Sequence, residues 1–147
     1  MKQTGSCACG AFKYEVSSEP KGVAACHCKA CQRRTGSAFG MGVFFNAKNV
    51  EILSGNYGNY MHTADSGRSK TNMFCKSCGT TVMWTAEAMP DGIAIAGGTF
   101  DDTAWIQPKL HAWASQSHAW FTFPEDIPVL QTSPGDIPVN SPPPSAK

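Results

Sequence analysis

Three cysteines stand close together in the stretch Cys26-His27-Cys28-Lys29-Ala30-Cys31, and this stretch decides how the rest of the chain is interpreted. In an extended segment alternate side chains point the same way, so Cys26 and Cys28 face one side and His27 the other. Cys31 follows Cys28 at the C-x-x-C spacing with which a tight loop supplies two thiolates to one metal ion. The stretch therefore predicts a local metal site made of three thiolates.

The other four cysteines form two closely spaced pairs, Cys7-Ala8-Cys9 and Cys75-Lys76-Ser77-Cys78. We expect Cys7 and Cys9 to share one side of an extended segment, and Gly79 to supply the positive φ that a turn after Cys78 needs. A structural zinc ion takes four protein ligands, whereas a catalytic one keeps an open position. The seven cysteines therefore divide into a structural and a catalytic zinc site, with ligands Cys7, Cys9, Cys75 and Cys78 and ligands Cys26, Cys28 and Cys31.

The number of cysteines also bears on the redox compartment. Seven is odd, which excludes a fully paired disulfide framework. No hydrophobic signal region opens the chain, so we expect a cytoplasmic location, where clustered thiols bind metal or do chemistry. Three alternatives to this division of the ligands stay open: a single ion with the middle cysteines passive, a redox dithiol at one C-x-x-C pair, or His27 in place of one middle thiolate.

Composition limits the partners. The chain has 147 residues and a formal net charge of +1, so it has no long-range electrostatic attraction for nucleic acid or an anionic membrane. No apolar run approaches the ~18–20 residues of a membrane span. We therefore expect neither nucleic acid nor a membrane as partner, and the sequence leaves the oligomeric state unknown.

The pattern of apolar residues predicts a mainly β protein of short antiparallel strands. In residues 11–16, Phe12, Tyr14 and Val16 alternate with polar residues, as in a half-buried strand. Other short runs with β-branched or aromatic residues lie between turn residues, and only 29–35 and 100–106 suggest a helical turn. The predicted strands are 11–16, 41–45, 50–53, 57–62, 80–85, 93–96, 110–113 and 120–123.

Proline marks the predicted end of the folded domain. Seven of the ten prolines fall at or after Pro124, and proline cannot join a helix or a central strand. We therefore predict one zinc-binding domain over residues 1–126, followed by an extended or disordered proline-rich tail over 127–147.

Five segments together resemble one known family: GSCACGAFKYEV, CHCKACQRRTGS, FCKSCGT, GGTFDD and PKLHAWASQSHAWFTFPEDIP. They are similar to the glutathione-dependent formaldehyde-activating enzymes, a family that includes centromere protein V, over about residues 5–128. The resemblance implies a β-tent fold around two zinc ions, with the same division of the cysteines as above. It also implies a carbon–sulfur lyase that adds the thiol of glutathione to formaldehyde, giving S-(hydroxymethyl)glutathione.

Such chemistry makes demands on the residues beside the open site. Three thiolates more than cancel the charge of a zinc ion and leave about −1, so nearby cations would offset the excess. Arg33 and Arg34 follow the ligands directly, and we expect one of them to pair with the carboxylates of a glutathione-like thiol. Thr35 and Ser37 are candidate hydroxyl donors to the ligand. The ordinary alternatives are solvated surface charges and a turn that ends the metal loop.

His111 is the candidate for proton transfer, because it lies in the His-Ala-Trp part of the segment that carries the resemblance. The expected partners are thus a small thiol and a small aldehyde. The alternative function is a zinc-stapled binding module without catalysis, or a sensor of thiols or metal.

Overall fold

A computed structural model of the chain describes residues 2–64 and 67–133. These residues form a mainly β protein with a single short α-helix, as predicted. The elements are β1 Gln3–Ser6, β2 Lys13–Val16, β3 Gly22–Cys26, α1 Lys29–Thr35, β4 Gly40–Asn46, β5 Val50–Ser54, β6 Tyr57–Thr63, β7 Ser69–Cys75, β8 Thr81–Ala86, β9 Met89–Ala96 and β10 Leu110–Ala112, with short 3-10 helices at Ala47–Asn49, Gly97–Thr99 and Ala114–Gln116.

The chain divides into two compact units, and the first contains the residues up to Gly22 together with Val43–Ile106. It holds a three-stranded antiparallel sheet in the order β1-β2-β5 and a second set of strands in the order β4-β9-β8-β7-β6. Phe12, Tyr14 and Val16 are buried as their alternation predicts. The hydroxyl groups of Tyr14 and Thr99 are hydrogen-bonded at 2.9 Å, so the one polar atom of this buried ring has a partner.

The second unit contains Val23–Gly42 and the chain from Gln107 onward. Its strands neighbour each other in the order β10-β3-β4, and β10 runs parallel to β3, with Ala112 opposite Cys26. This parallel pair differs from the predicted antiparallel arrangement. One of its two strands, β3, ends at Cys26, the first cysteine of the middle group.

Residues of the predicted tail continue this unit beyond position 126. Val129 and Leu130 are buried, and Val129 forms a parallel bridge with His111. The backbone N–H groups of Leu130 and Trp113 donate to the carbonyl oxygens of His111 and Thr132 at 2.8 and 3.0 Å. Residues 134–147 lie outside the described residues, so the tail there and the division at residue 126 stay predictions.

One predicted strand is wrong, and one predicted helical turn is a single isolated turn. Residues 120–123 form no strand: the N–H of Phe121 donates to the carbonyl of His118 at 3.0 Å, and Trp120 is 70% exposed. The helical turn suggested at 100–106 is one turn closed by the N–H of Ile106 on the carbonyl of Thr103 at 3.1 Å, and Phe100 forms a β-bridge with Gly5. The aromatic residues at 121 and 123 pack around a histidine described below, and this packing does not require strand pairing.

Three strands were not predicted, namely β1, β3 and β7. Their sequences QTGS, GVAAC and SKTNMFC lack the alternation of large apolar and polar residues that signals a half-buried strand. Pairing with neighbouring strands, rather than local preference, makes them extended. No helix of the described residues is both long and apolar enough to cross a membrane.

Candidate metal centres

Four cysteines of the first unit converge from two similar turns. After β1, the N–H of Gly10 donates to the carbonyl of Cys7 at 3.0 Å, and Gly10 has a φ of 81°. After β7, the N–H of Gly79 donates to the carbonyl of Cys75 at 2.8 Å, and Gly79 has a φ of 80°. The positive φ predicted for Gly79 is therefore present. The extended segment expected for Cys7 and Cys9 is wrong, because a glycine turn brings these two thiols together instead.

The sulfur atoms of this four-cysteine group all lie within 4.8 Å of one another. Sγ of Cys9 is 3.6 Å from Sγ of Cys7 and 3.8 Å from Sγ of Cys75, although these turns are 66 positions apart in sequence. Cys7 and Cys75 are buried, whereas Cys9 and Cys78 are exposed. One side of the group is thus packed in the protein and the other faces solvent.

Hydrogen bonds to two thiols of this group, Cys7 and Cys78, favour the ionised form that a metal ion needs. The N–H of Phe12 donates to Sγ of Cys7 at 3.2 Å. The Thr80 hydroxyl, 3.2 Å from Sγ of Cys78, is the main cause that lowers the pKa of Cys78 to about 5. Thiolate sulfur is the donor that zinc and other soft metal ions take in tetrahedral sites, so this donor set could hold such an ion.

The middle cysteines of the second unit also converge. Cys26 ends β3, and Cys28 is extended, with φ −64° and ψ 155°, as predicted for the pair that faces one side. Cys28 is also the N-cap of α1, and its sulfur accepts a hydrogen bond from the N–H of Cys31 at 3.3 Å. All three sulfur atoms lie within 4.8 Å of one another, so strand end, cap and first helical turn together form a three-cysteine group.

This crowding of sulfur atoms has an electrostatic consequence. Hydrogen bonds to Cys28 and Cys31, followed by burial, raise the pKa of Cys26 far above its usual range. Three adjacent thiols with little water therefore keep a proton between them unless a cation replaces it. A divalent metal ion is such a cation, and the donor set could hold one. Within residues 2–64 and 67–133, no further histidine, cysteine or carboxylate joins either group.

His27 and His111 contact each other and are not members of the three-cysteine group. The predicted alternation puts His27 on the side opposite Cys26 and Cys28, and His111 pairs in register with Ala25, whose side chain shares the side of His27. Nε2 of His27 is 3.0 Å from Nδ1 of His111, and both rings are buried. Burial lowers the pKa of His111 and so favours its neutral form. Three phenylalanine rings surround His27, namely Phe39, Phe121 and Phe123.

The basic and hydroxyl residues after the ligands have different surroundings. Arg33 is exposed in the last turn of α1. Arg34 is half-buried, and a side-chain carbon placed on Gly40 would collide with its guanidinium group. The hydroxyl of Thr35 donates to the carbonyl of Cys31 at 2.9 Å and accepts from the N–H of Ser37 at 3.1 Å. Thr35 thus ends the helix, and a role of the Thr35 and Ser37 hydroxyl groups toward a ligand stays a prediction.

Two glutamines that the sequence did not single out contact this loop. Oε1 of Gln116 accepts from the N–H of Lys29 at 2.7 Å, and Nε2 of Gln32 donates to the carbonyl of His27 at 2.9 Å. Gln116 is 87 positions from Lys29, so no local spacing signals this contact. Only the pairing of β10 with β3 brings the two segments together.

The fold and these side chains define a mainly β protein with two cysteine clusters that could each hold a metal ion. The family model described as glutathione-dependent formaldehyde-activating enzyme matches residues 2–116, which is most of the chain. The protein therefore belongs to the glutathione-dependent formaldehyde-activating enzyme family, and the resemblance seen in the sequence is confirmed.

A solved structure supports the fold independently. The crystal structure of a Rhodobacter sphaeroides protein superposes with a TM-score of 0.55 at 19% sequence identity. The similarity covers 71% of this chain and 91% of that one. At this identity the likeness concerns the fold alone.

Proposed function

We propose that this protein is a zinc-dependent carbon–sulfur lyase that joins a small thiol such as glutathione to a small aldehyde such as formaldehyde. The observation that carries the proposal is the unequal number of ligands in the two clusters. Four thiols complete one cluster, whereas the other has three, which leaves a position for substrate on a tetrahedral ion. Membership of the formaldehyde-activating family supports the same choice of substrates.

The four-cysteine cluster is the structural site in this proposal. Its ligands come from the turn after β1 and the turn after β7, which belong to different sheets of the first unit. An ion held by all four would tie the ends of these two strands together. With all four thiols as ligands, a tetrahedral ion would have no position left for substrate on the exposed side at Cys9 and Cys78.

The three-cysteine cluster is the reactive site, with Cys26, Cys28 and Cys31 as ligands. These three thiolates would hold a zinc ion, and such an ion would lower the pKa of a substrate thiol so that its nucleophilic thiolate is present at neutral pH. In the addition a carbon–sulfur bond forms and the carbonyl π bond breaks. The proton lost by the thiol ends on the oxygen of the new hydroxymethyl group, so no oxidant or reductant is needed.

In this proposal Arg33, and not Arg34, binds the substrate. The guanidinium group of Arg34 packs over Gly40, whereas Arg33 is exposed on the helix that carries Cys31. An exposed guanidinium group can pair with a carboxylate of glutathione by two parallel hydrogen bonds. His111 contacts His27 at 3.0 Å, and its role in proton transfer stays a prediction.

The function is tested by following the formation of S-(hydroxymethyl)glutathione from glutathione and formaldehyde. With two zinc ions bound per chain, the protein is expected to raise the initial rate in proportion to its concentration. The uncatalysed reaction and the Cys28→Ser variant are the controls. A rate no higher than the uncatalysed one, with both ions bound, would leave the non-catalytic binding module or sensor as the function.

Arg33→Ala is expected to raise KM for glutathione about tenfold or more, because a charge-assisted hydrogen bond contributes about 1.5–3 kcal/mol. The value of kcat should change little if the contact is equally strong in ground and transition states. 2-Mercaptoethanol has no carboxylate, so its KM should not change. Arg68→Ala, at an exposed arginine of the first unit, is the matched control. An unchanged KM for glutathione in Arg33→Ala would contradict the assignment.

A further inference from the structure

We propose that Gln32 and Gln116 are positioning residues that hold the two peptide groups flanking Cys28 and thereby aim its thiol at the metal ion. The inference rests on the metal site of the proposed function. It concerns side chains that touch neither substrate nor metal in that proposal and act through the backbone of the ligand loop.

Gln116 holds the peptide group after Cys28. The first N–H groups of an α-helix have no partner within the helix and need one elsewhere. At the start of α1, the N–H of Lys29 donates to Oε1 of Gln116 at 2.7 Å, and the N–H of Cys31 donates to Sγ of Cys28 at 3.3 Å. One of these two partners is a proposed ligand, and the other is the side chain of Gln116.

Gln32 holds the peptide group before Cys28. Its Nε2 donates to the carbonyl oxygen of His27 at 2.9 Å and to the carbonyl oxygen of Gln116 at 3.0 Å. Both acceptors are carbonyl oxygens, so the amide nitrogen must face them. On the other side, Nε2 of His118 lies 3.1 Å from Oε1 of Gln32 and donates to it. The amide of Gln32 therefore cannot turn without losing three hydrogen bonds.

The two contacts together determine the direction of the Cys28 side chain. A residue has two soft backbone dihedral angles, and fixing the peptide planes on both sides fixes both angles. The carbonyl of His27 belongs to the plane before Cys28, and the N–H of Lys29 belongs to the plane after it. With both planes held, the φ of −64° and ψ of 155° at Cys28 are set by the glutamines as well as by the helix.

A rare backbone conformation at Trp113, three residues before Gln116, supports the same constraint. Trp113 has a φ of 57° and a ψ of 42° and is the one non-glycine residue with positive φ in the described part of the chain. A bulky residue keeps such a conformation only where its surroundings over-determine it, and such residues cluster at functional sites. Here the turn at Trp113 starts the 3-10 helix Ala114–Gln116 and so directs the chain toward α1.

The test uses the same substitution at both glutamines, which gives opposite expectations. Gln116→Glu keeps an acceptor oxygen for the N–H of Lys29, whereas Gln32→Glu loses both hydrogens that Gln32 donates. Each variant adds one negative charge near the site, so charge alone cannot separate them. Gln32→Ala and Gln116→Ala remove the contacts completely, and Gln107→Ala, at an exposed glutamine of the same unit, is the control.

The readout is zinc affinity by competition with a chromophoric chelator, with the four-cysteine site of the same molecule as internal reference. Removing a group that orients a ligand costs about 10–100-fold in metal affinity. We expect that loss at the three-cysteine site for Gln32→Ala, Gln32→Glu and Gln116→Ala. For Gln116→Glu and Gln107→Ala we expect affinity within about threefold of wild type, because the contact or the loop is unchanged. The four-cysteine site should be unaffected throughout.

Cobalt(II) gives an independent readout, because its visible absorption reports the geometry of the sulfur ligands. The three variants with weaker zinc binding should show altered absorption at the three-cysteine site, and Gln116→Glu should show the wild-type spectrum. Wild-type affinity and spectrum in Gln32→Glu, or equal loss at both metal sites, would overturn the positioning role alone. A wild-type protein whose three-cysteine group binds neither ion would overturn the proposed function as well. If Gln116→Ala does not fold, Gln116→Asn replaces it, because the side chain of asparagine is one methylene shorter and moves the acceptor oxygen away from the N–H of Lys29. The same loss of zinc affinity is then expected for Gln116→Asn.

Discussion

Cys75→Ser is expected to unfold the first unit at room temperature. Cys75 is fully buried at the end of β7, and its loss would leave the proposed structural ion with three ligands instead of four. A structural zinc ion contributes about 10–16 kcal/mol of apparent binding free energy, which is as large as the ~5–15 kcal/mol total stability of a typical domain. Circular dichroism and the melting temperature measure the result, with zinc per chain determined on the same sample.

Two controls separate loss of the ion from loss of the side chain. Lys76→Ser changes an exposed neighbour in the same turn and should melt like wild type. Removal of zinc from the wild-type protein by a chelator should reproduce the unfolding of Cys75→Ser. A Cys75→Ser protein that keeps its melting temperature and both ions would contradict the structural role of the four-cysteine cluster.

Cys28→Ser is expected to bind one zinc ion per chain instead of two, to stay folded, and to lose turnover. Serine is a preferred N-cap residue, so its hydroxyl can accept from the N–H of Cys31 as the thiol does at 3.3 Å. The helix therefore keeps its cap while the metal loses a ligand. Serine therefore removes the metal ligand without removing the helix cap. Alanine would remove both, and loss of an N-cap costs about 0.5–2 kcal/mol of stability.

The measurements are zinc per chain, melting temperature and the rate of S-(hydroxymethyl)glutathione formation. We expect the rate to fall to that of the uncatalysed reaction with the melting temperature within a few degrees of wild type, since about 1 kcal/mol corresponds to roughly 2–4 °C in a domain of this size. Cys28→Ala, which removes both ligand and cap, should melt lower than Cys28→Ser. If Cys28→Ser still catalysed the reaction with one ion bound, the reactive site would be the four-cysteine cluster and not the three-cysteine cluster.

Local chemistry explains what could be predicted of the site. The two cysteine pairs and the middle three follow from their spacing, because short turns bring their own side chains together. That the pairs at 7/9 and 75/78 share one site follows from the count of four ligands in a structural zinc site. The positive φ of Gly79 and the bounds of the short helix at 29–35 are local in the same sense. The corresponding turn at Gly10 has the same cause and could have been found by the same argument.

Contacts distant in sequence explain what could not be predicted. Strand β7 contains mostly polar residues and is extended because it pairs with β6 on one side and β8 on the other. The partner of His27 is 84 positions away, and the parallel pairing of β10 with β3 that brings it there has no signal in either short segment. Residues 120–123 look like a strand because they are aromatic, yet Phe121 and Phe123 satisfy that preference by packing on the His27 ring.

The last residue that each cluster needs lies at a different place in the sequence, so the two clusters are completed in a fixed order during translation. All four thiols of the first cluster have been synthesised once Cys78 is added, whereas the loop of the second waits for Gln116 on a segment made later. Chains emerge from the ribosome at about 5–20 residues per second and fold from the N-terminus. A nascent chain therefore completes its structural ligand set seconds before its middle cysteines can be held in place. In that interval the three middle thiols are already synthesised, while their loop lacks the contact from Gln116.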